Sequence, residues 1–220
     1  MSKILVINPN SSASVTQSMR DCLDPVRRAI KHEITCVELA KSPPGIETDA
    51  HVEAVIPNIL EAVGTQDADA FVLACFSDPG IATVRASTAK PVTGIAESAY
   101  LSALSLGRTF GIISLGPSSI ARHLRYLTAL DLHHRLAGDR SIDMTVVELM
   151  ATDVVETVAR TARRLRDEDK ADVIILGCAG LGSYRLALQD ELDLPVIDPV
   201  QAGVALAANH LDLSYGRHQS

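Results

Sequence analysis

Tryptophan is absent and aromatic residues make up only 3% of the 220-residue chain, which leaves no stacking platform for nucleic-acid bases. Positive charge is in the minority, with 20 Lys and Arg against 27 Asp and Glu and a net charge of −7. A phosphate backbone is therefore a poor partner. No apolar run approaches the roughly 18 residues of a membrane span. The start, Met1-Ser2-Lys3-Ile4-Leu5-Val6-Ile7-Asn8, lacks the apolar core of a signal peptide. The expected location is cytoplasmic, with neither membrane nor nucleic acid as partner. No G-x-G-x-x-G or Walker pattern occurs, so a nucleotide cofactor has no support. Cys22, Cys36, Cys75 and Cys178 are scattered, with no C-x-x-C pair and no histidine cluster at metal-ligand spacing. Neither disulfide nor structural metal is expected, and any chemistry must come from side chains alone.

Apolar material is plentiful, 47% of residues against 21% charged, enough for a packed core. Short β-branched runs alternate with helical stretches, which predicts an α/β protein whose parallel strands are buried on both faces. Strands are expected at 3–7, 33–39, 70–75, 91–95, 109–114, 142–148, 172–177 and 195–198. A first helix is expected from a cap at Ser11 or Ser12 to about residue 30. Asp78 before Pro79 reads as the cap and first turn of another. Residues 151–169 read as a surface helix, with Val154, Val155, Val158, Ala162 and Leu165 on its apolar face.

The strongest signal is an internal repeat. Ala68-Asp69-Ala70-Phe71-Val72-Leu73-Ala74-Cys75 aligns with Ala171-Asp172-Val173-Ile174-Ile175-Leu176-Gly177-Cys178, with Asp and Cys six residues apart in both. A Pro-Val pair follows each cysteine, after 16 residues at Pro91 and after 17 at Pro195. Upstream, Asn8-Pro9-Asn10-Ser11-Ser12 resembles Ser114-Leu115-Gly116-Pro117-Ser118-Ser119, each ending a strand with a proline and paired serines. This reads as a duplication: two α/β lobes with parallel sheets flanked by helices, related by a pseudo-twofold axis. The first lobe is expected to span 1–95 plus about 199–220 and the second 96–198, with helices 96–106 and 199–211 crossing between them.

Ligands of parallel α/β sheets bind beyond the carboxyl ends of the strands. Both Cys75 and Cys178 fall there, so a cleft between facing lobes would receive them from opposite sides. Two opposed thiols suit proton removal from a carbon beside a carbonyl and proton return to its other face, one sulfur starting as thiolate and the other as thiol. Helix termini and nearby donors are expected to bring their pKa values toward neutrality. The enolate formed midway needs donors. The turn Cys178-Ala179-Gly180-Leu181-Gly182 offers backbone amides, and Asn10, Ser11, Ser12, Ser118 and Ser119 offer side chains.

Together, Ile7-Asn8-Pro9-Asn10-Ser11-Ser12, Ala74-Cys75-Phe76-Ser77-Asp78-Pro79-Gly80, Gly94-Ile95-Ala96-Glu97, Leu176-Gly177-Cys178-Ala179-Gly180-Leu181 and Pro195-Val196-Ile197-Asp198 resemble the Asp/Glu/hydantoin racemase family, in particular its hydantoin and allantoin racemase branch. The resemblance runs along almost the whole chain. It implies a cofactor-independent racemase with Cys75 and Cys178 as opposed acid and base. It further implies a homo-oligomer and a small ring or amino-acid-derived substrate. Phe76, Ser77, Ala179 and Gly180 join the candidate substrate-binding set through these motifs. Ser77 replaces a frequent glycine, Pro44-Gly45-Ile46-Glu47-Thr48 replaces a Ser-Ile-Glu-Gly turn, and the arginine-containing loop near Ser118 and Ser119 is not matched. These departures bear on substrate identity.

Other readings remain beside this one. Cys22 and Cys36 read as core residues, and Asn8, Asn10 and the serines equally suit turns and caps. Asp198 reads as structural, Glu97 as either structural or cleft-facing. His51, His123, His133, His134 and His210 read as exposed or internally satisfied. An aspartate- or glutamate-type racemase is the nearest alternative to a hydantoin or allantoin racemase. The motif loops place no arginine or lysine next to either cysteine, which favours the neutral ring. A malonate-type decarboxylase and a two-lobed binding protein are further alternatives.

Overall fold

A computed structural model describes residues 1–215, so 216–220 of the expected first lobe lie outside the described residues. The order in the first half is β1 (Lys3–Asn8), α1 (Ala13–Cys22), α2 (Asp24–Ala29), β2 (Glu33–Glu38), α3 (Asp49–Ala54), α4 (Ile56–Thr65), β3 (Ala70–Leu73), α5 (Ile81–Ser87), β4 (Val92–Gly94) and α6 (Ile95–Leu104). The second half has β5 (Phe110–Ser114), α7 (Pro117–Ala129), a 3-10 turn (His133–Arg135), β6 (Leu136–Ser141), α8 (Val146–Ala151) and α9 (Val155–Asp167). It continues through β7 (Val173–Leu176), a second 3-10 segment (Ala179–Tyr184), α10 (Arg185–Leu192), β8 (Val196–Ile197) and α11 (Pro199–Asp212).

The halves have the same topology. One sheet runs β2-β1-β3-β4 and the other β6-β5-β7-β8, all pairs parallel. Equivalent details recur: the Asp69 carboxylate accepts the Lys3 amide at 2.8 Å, and Asp172 accepts those of Arg108 and Thr109 at 2.9 and 3.0 Å. Alternation along the strands splits the core. Leu5, Ile7, Phe71 and Leu73 join the apolar residues of α4 on one face of the first sheet, while Ile4, Val6 and Val72 face the other way, joining residues of α1 and α11. In the second sheet Phe110, Ile112, Val173 and Ile175 cluster with α6 and α7, and Ile113, Ile174 and Leu176 with α9 and α10. Central strands covered on both faces read as unbroken apolar runs for this reason. Helices α6 and α11 pack on each other, and α11 lies back over β3 and β4, where the Thr93 hydroxyl donates to the Gly203 carbonyl at 3.0 Å.

Three local expectations are corrected. The strand expected at 142–148 is a loop followed by α8, opened by a Thr145/Glu148 capping box. Its place in the sheet is taken by Leu136–Ser141, a half-buried edge strand with polar residues. The long first helix is broken at Leu23, where Pro25 opens α2. The 151–169 helix starts only at Val155.

Asp78 is a fourth correction. It sits at φ +43° and the helix after it, α5, begins at Ile81 behind Gly80. Its carboxylate caps α6 instead, accepting from the amides of Ala96 and Glu97. A side chain at Gly94 would put its Cβ 2.2 Å from the Asp78 carboxyl carbon, so this approach requires glycine.

Candidate active site

β3 and β7 are the central strands that deliver the two cysteines. Each ends with an amide donating back to its neighbour at 2.8 Å, Ala74 to the Ile7 carbonyl and Gly177 to that of Ile113. Cys75 and Cys178 follow immediately, and both line one cavity of about 570 Å³ between the two sheets. The sequence repeat thus places two chemically equal groups at equivalent strand ends facing a shared space.

Their ionisation departs from the near-neutral expectation. Burial pushes the Cys75 thiol up to about 12, and proximity to Cys178 and Asp78 adds to this, while Arg122 and the Ser77 amide oppose it. Burial likewise raises Cys178 to about 11, opposed by the Gly180 amide, which donates to Sγ at 3.4 Å. Desolvation of the thiolate outweighs the donors at both sites.

Of the other candidate residues, Asn10, Phe76, Ser77, Ser118, Ser119 and Ala179 line the cavity. Ser11, Ser12 and Gly180 do not. The Ser11 amide is bound to the Pro43 carbonyl, and the Ser12 hydroxyl caps α1 by accepting from Val15. Gly180 stands behind Cys178, acting on its sulfur. Asn8 is fully buried and shapes the turn, its side-chain amide donating to Asn10, Thr16 and the Ser12 carbonyl. Asp198 caps α11 through the Val200 and Gln201 amides. Glu97 pairs with Arg85 at 2.8 Å.

Several wall residues were not among the candidates. Arg122 projects from α7, its Nε donating to Ser77 Oγ at 2.9 Å and Nη2 to Ser119 Oγ at 3.1 Å. This cation reaches Cys75 from α7, outside the motif loops, which themselves place no arginine or lysine next to either cysteine. His123, next to Arg122, is buried and bound to Asp139. The signal was helical spacing: Arg122 and His123 stand four residues after Ser118 and Ser119, hence on the same face. From the first half, Glu47 reaches across. Its carbonyl accepts the Ser118 hydroxyl at 2.8 Å and its Oε1 accepts the Val146 amide at 3.0 Å. Asp49 receives Arg125 at 2.6 Å and Arg122 at 3.4 Å. The segment before α3 is thereby fastened to α7 and α8 at the cavity edge.

Among the described residues, one His/Asp grouping lies close enough to hold a metal, Asp131, His133 and His134, all exposed and none of them lining the cavity. No helix among these residues is long and apolar enough to cross a membrane.

Comparison with known proteins places this arrangement. The chain is 34% identical over 220 residues to a hydantoin racemase of Paenarthrobacter aurescens, covering 97% of this chain and 92% of that protein. An allantoin racemase from Klebsiella pneumoniae superposes with a TM-score of 0.91 at 29% identity, covering 99% of this chain and 91% of that one. Allantoin racemase from Pseudomonas fluorescens also gives 0.91, at 26% identity and 98% and 93% coverage. The sequence profile described as Asp/Glu/Hydantoin racemase matches residues 4–207, and the chain belongs to that family.

Proposed function

We propose that this protein is a cofactor-independent racemase of a 5-substituted hydantoin or of the ureide allantoin, with Cys75 and Cys178 as its two acid-base groups. The observation that carries this reading is the arrival of both thiols, from equivalent strand ends, at the same cavity. One sulfur, as thiolate, takes the proton from the ring carbon beside the carbonyl, and the electron pair moves onto the carbonyl oxygen. The other thiol returns a proton to the opposite face of that carbon. The product is the mirror-image ring, and the two sulfurs have exchanged protonation states. Arg122 and the first turn of α7 border the space where the negative charge develops.

Substrate class follows from the charge of the walls. Arg122 is the cation of the cavity lining and is shared with Asp49, whereas Glu47, Asp143 and Glu148 all line the same space. A substrate with two carboxylates would meet more acid than base, and a neutral ring would not. The names of the relatives, hydantoin and allantoin racemases, agree with this. A small-molecule substrate, a homo-oligomeric assembly, a cytoplasmic location and a first lobe completed by α11 belong to the same reading.

The test is NMR of deuterium incorporation from solvent at the stereocentre, over 5-substituted hydantoins, allantoin, aspartate and glutamate. Exchange with racemisation is expected for a ring substrate. Cys75→Ala and Cys178→Ala should each abolish racemisation while leaving exchange of one enantiomer. Full racemisation by either variant overturns the assignment of the two thiols.

A further inference from the structure

The cavity wall holds a polar assembly that the two-thiol chemistry does not use. His123 is only 2% exposed. Its Nδ1 lies 2.8 Å from Asp139 Oδ2 and 3.2 Å from Ser114 Oγ. The Asp139 side chain is itself 1% exposed, and the Ser114 hydroxyl donates to its other oxygen. The protons can be assigned from this. An ionised carboxylate only accepts, and the single Ser114 proton is committed to Asp139, so the hydrogen between the ring and its two neighbours must sit on Nδ1. In the neutral ring Nε2 is then a bare acceptor.

Nε2 has no hydrogen-bond partner among the described residues, yet it is not one of the sealed unpartnered atoms. The open space that His123 lines is the cavity between the cysteines. Phe76, beside Cys75, meets the imidazole edge-on at 5.0 Å and holds its plane. The wall carboxylates each have one oxygen already engaged. Glu47 holds the Val146 amide, Glu148 holds Thr145, and Asp143 holds the Ser141 hydroxyl. Arg122 offers donors only.

We propose that His123 Nε2 accepts a ring N–H of the substrate, which makes His123 a specificity-determining residue whose tautomer is held by Asp139. This rests on the ring-racemase reading and narrows it to cyclic ureides with a free N–H. A ring that carries N-methyl at that position leaves the acceptor desolvated and unpaired, a loss that discriminates strongly.

The experiment compares a 5-substituted hydantoin with its 1-methyl and 3-methyl derivatives, using the full chain. In wild type, one methylation should raise KM by roughly tenfold or more. Asp139→Asn keeps the shape but presents an amide N–H to Nδ1, moving the ring proton to Nε2, and should reduce that preference to near unity. Nitrogen-15 NMR of histidine-labelled wild type supplies a readout without any variant. His123 should carry its proton on Nδ1, and its Nε2 resonance should shift with the parent ring and stay in place with the discriminated N-methyl derivative. A proton on Nε2 in the complex, or an Nε2 resonance unmoved by the parent ring, overturns the role of His123. Racemisation by wild type without N–H preference overturns it alone, whereas absence of any solvent exchange with ring substrates overturns the racemase reading with it.

Discussion

Asp78 and Tyr126 join the two halves through one hydrogen bond of 3.1 Å, the phenol donating to the carboxylate oxygen that also accepts the Glu97 amide at 2.9 Å. The other oxygen takes the Ala96 amide at 3.0 Å. One buried carboxylate thus organises the end of the Cys75 loop, the start of α6 and a residue of α7. Burial nonetheless pushes its pKa up to about 7, against the pull of these three donors.

Asp78→Ala should lower stability by about 2 kcal/mol, since it removes a cap and strands a half-buried phenol. In a chain of this size that is a fall in Tm of about 4–8 °C. The sign of the pH effect follows from the raised pKa. Below the unfolded value of about 3.9 both states keep the proton. Between there and about 7 only the folded state keeps it, so the stability it confers is lost as pH rises through that window. Thermal melts from pH 4 to 8 should show a decline in wild type that Asp78→Ala flattens. An unchanged slope would contradict the raised value.

Burial keeps both cavity thiols protonated at neutral pH, at about 12 for Cys75 and about 11 for Cys178. Iodoacetamide labelling followed by mass spectrometry should therefore be slow at pH 7 for both. It should accelerate with pH and reach Cys178 first. For the same reason log kcat/KM should climb between pH 6.5 and 9 with a slope near one. A plateau beginning below pH 8 would show a thiolate already formed.

Arg122→Gln removes the cation that lowers the Cys75 pKa and unties Ser77 from Ser119. Loss of kcat/KM by roughly 10- to 100-fold is expected, with the pH profile displaced upward. Gln keeps a donor for one serine, so Tm should fall by only a few degrees. Unaltered kinetics would exclude Arg122 from the reaction.

Gly182→Ala tests the support of the Cys178 turn. Its Cβ would meet Asp198 Oδ2 at 2.3 Å and Cys22 Sγ at 2.6 Å, the cap of α11 and the last residue of α1 respectively. Overpacking of this kind costs about 1–3 kcal/mol. Pairing it with Cys22→Ala should recover part of the loss, measurable by urea unfolding. No recovery would place the clash on the capping carboxylate alone.

The central strands were legible because burial on both faces leaves them uniformly apolar, as in Phe71 to Leu73 and Val173 to Leu176. Edge strand β6 was not: Leu-Ala-Gly-Asp-Arg-Ser has one covered flank and no hydrophobic pattern. The β-branched residues nearby were misleading, although Thr145 and Glu148 spelled a capping box. At the site, the paired cysteines and serines were visible as a repeat, while Arg122 and His123 have no counterpart motif. Asp78 was misassigned because its positive φ turns the carboxylate away from the adjacent helix and toward one 17 residues on, beginning at Ile95.

The surroundings of the two sulfurs are unequal: Arg122 and Asp78 condition Cys75, the Gly180 amide and Glu47 condition Cys178. Enantiomers in water have identical free energies, so a racemase must show the same kcat/KM in both directions whatever its internal asymmetry. With the two thiols as the proposed acid and base, any mismatch in their acidity is therefore confined to kcat and KM taken singly, and a hand of the substrate held more tightly should be turned over more slowly, in compensating ratio.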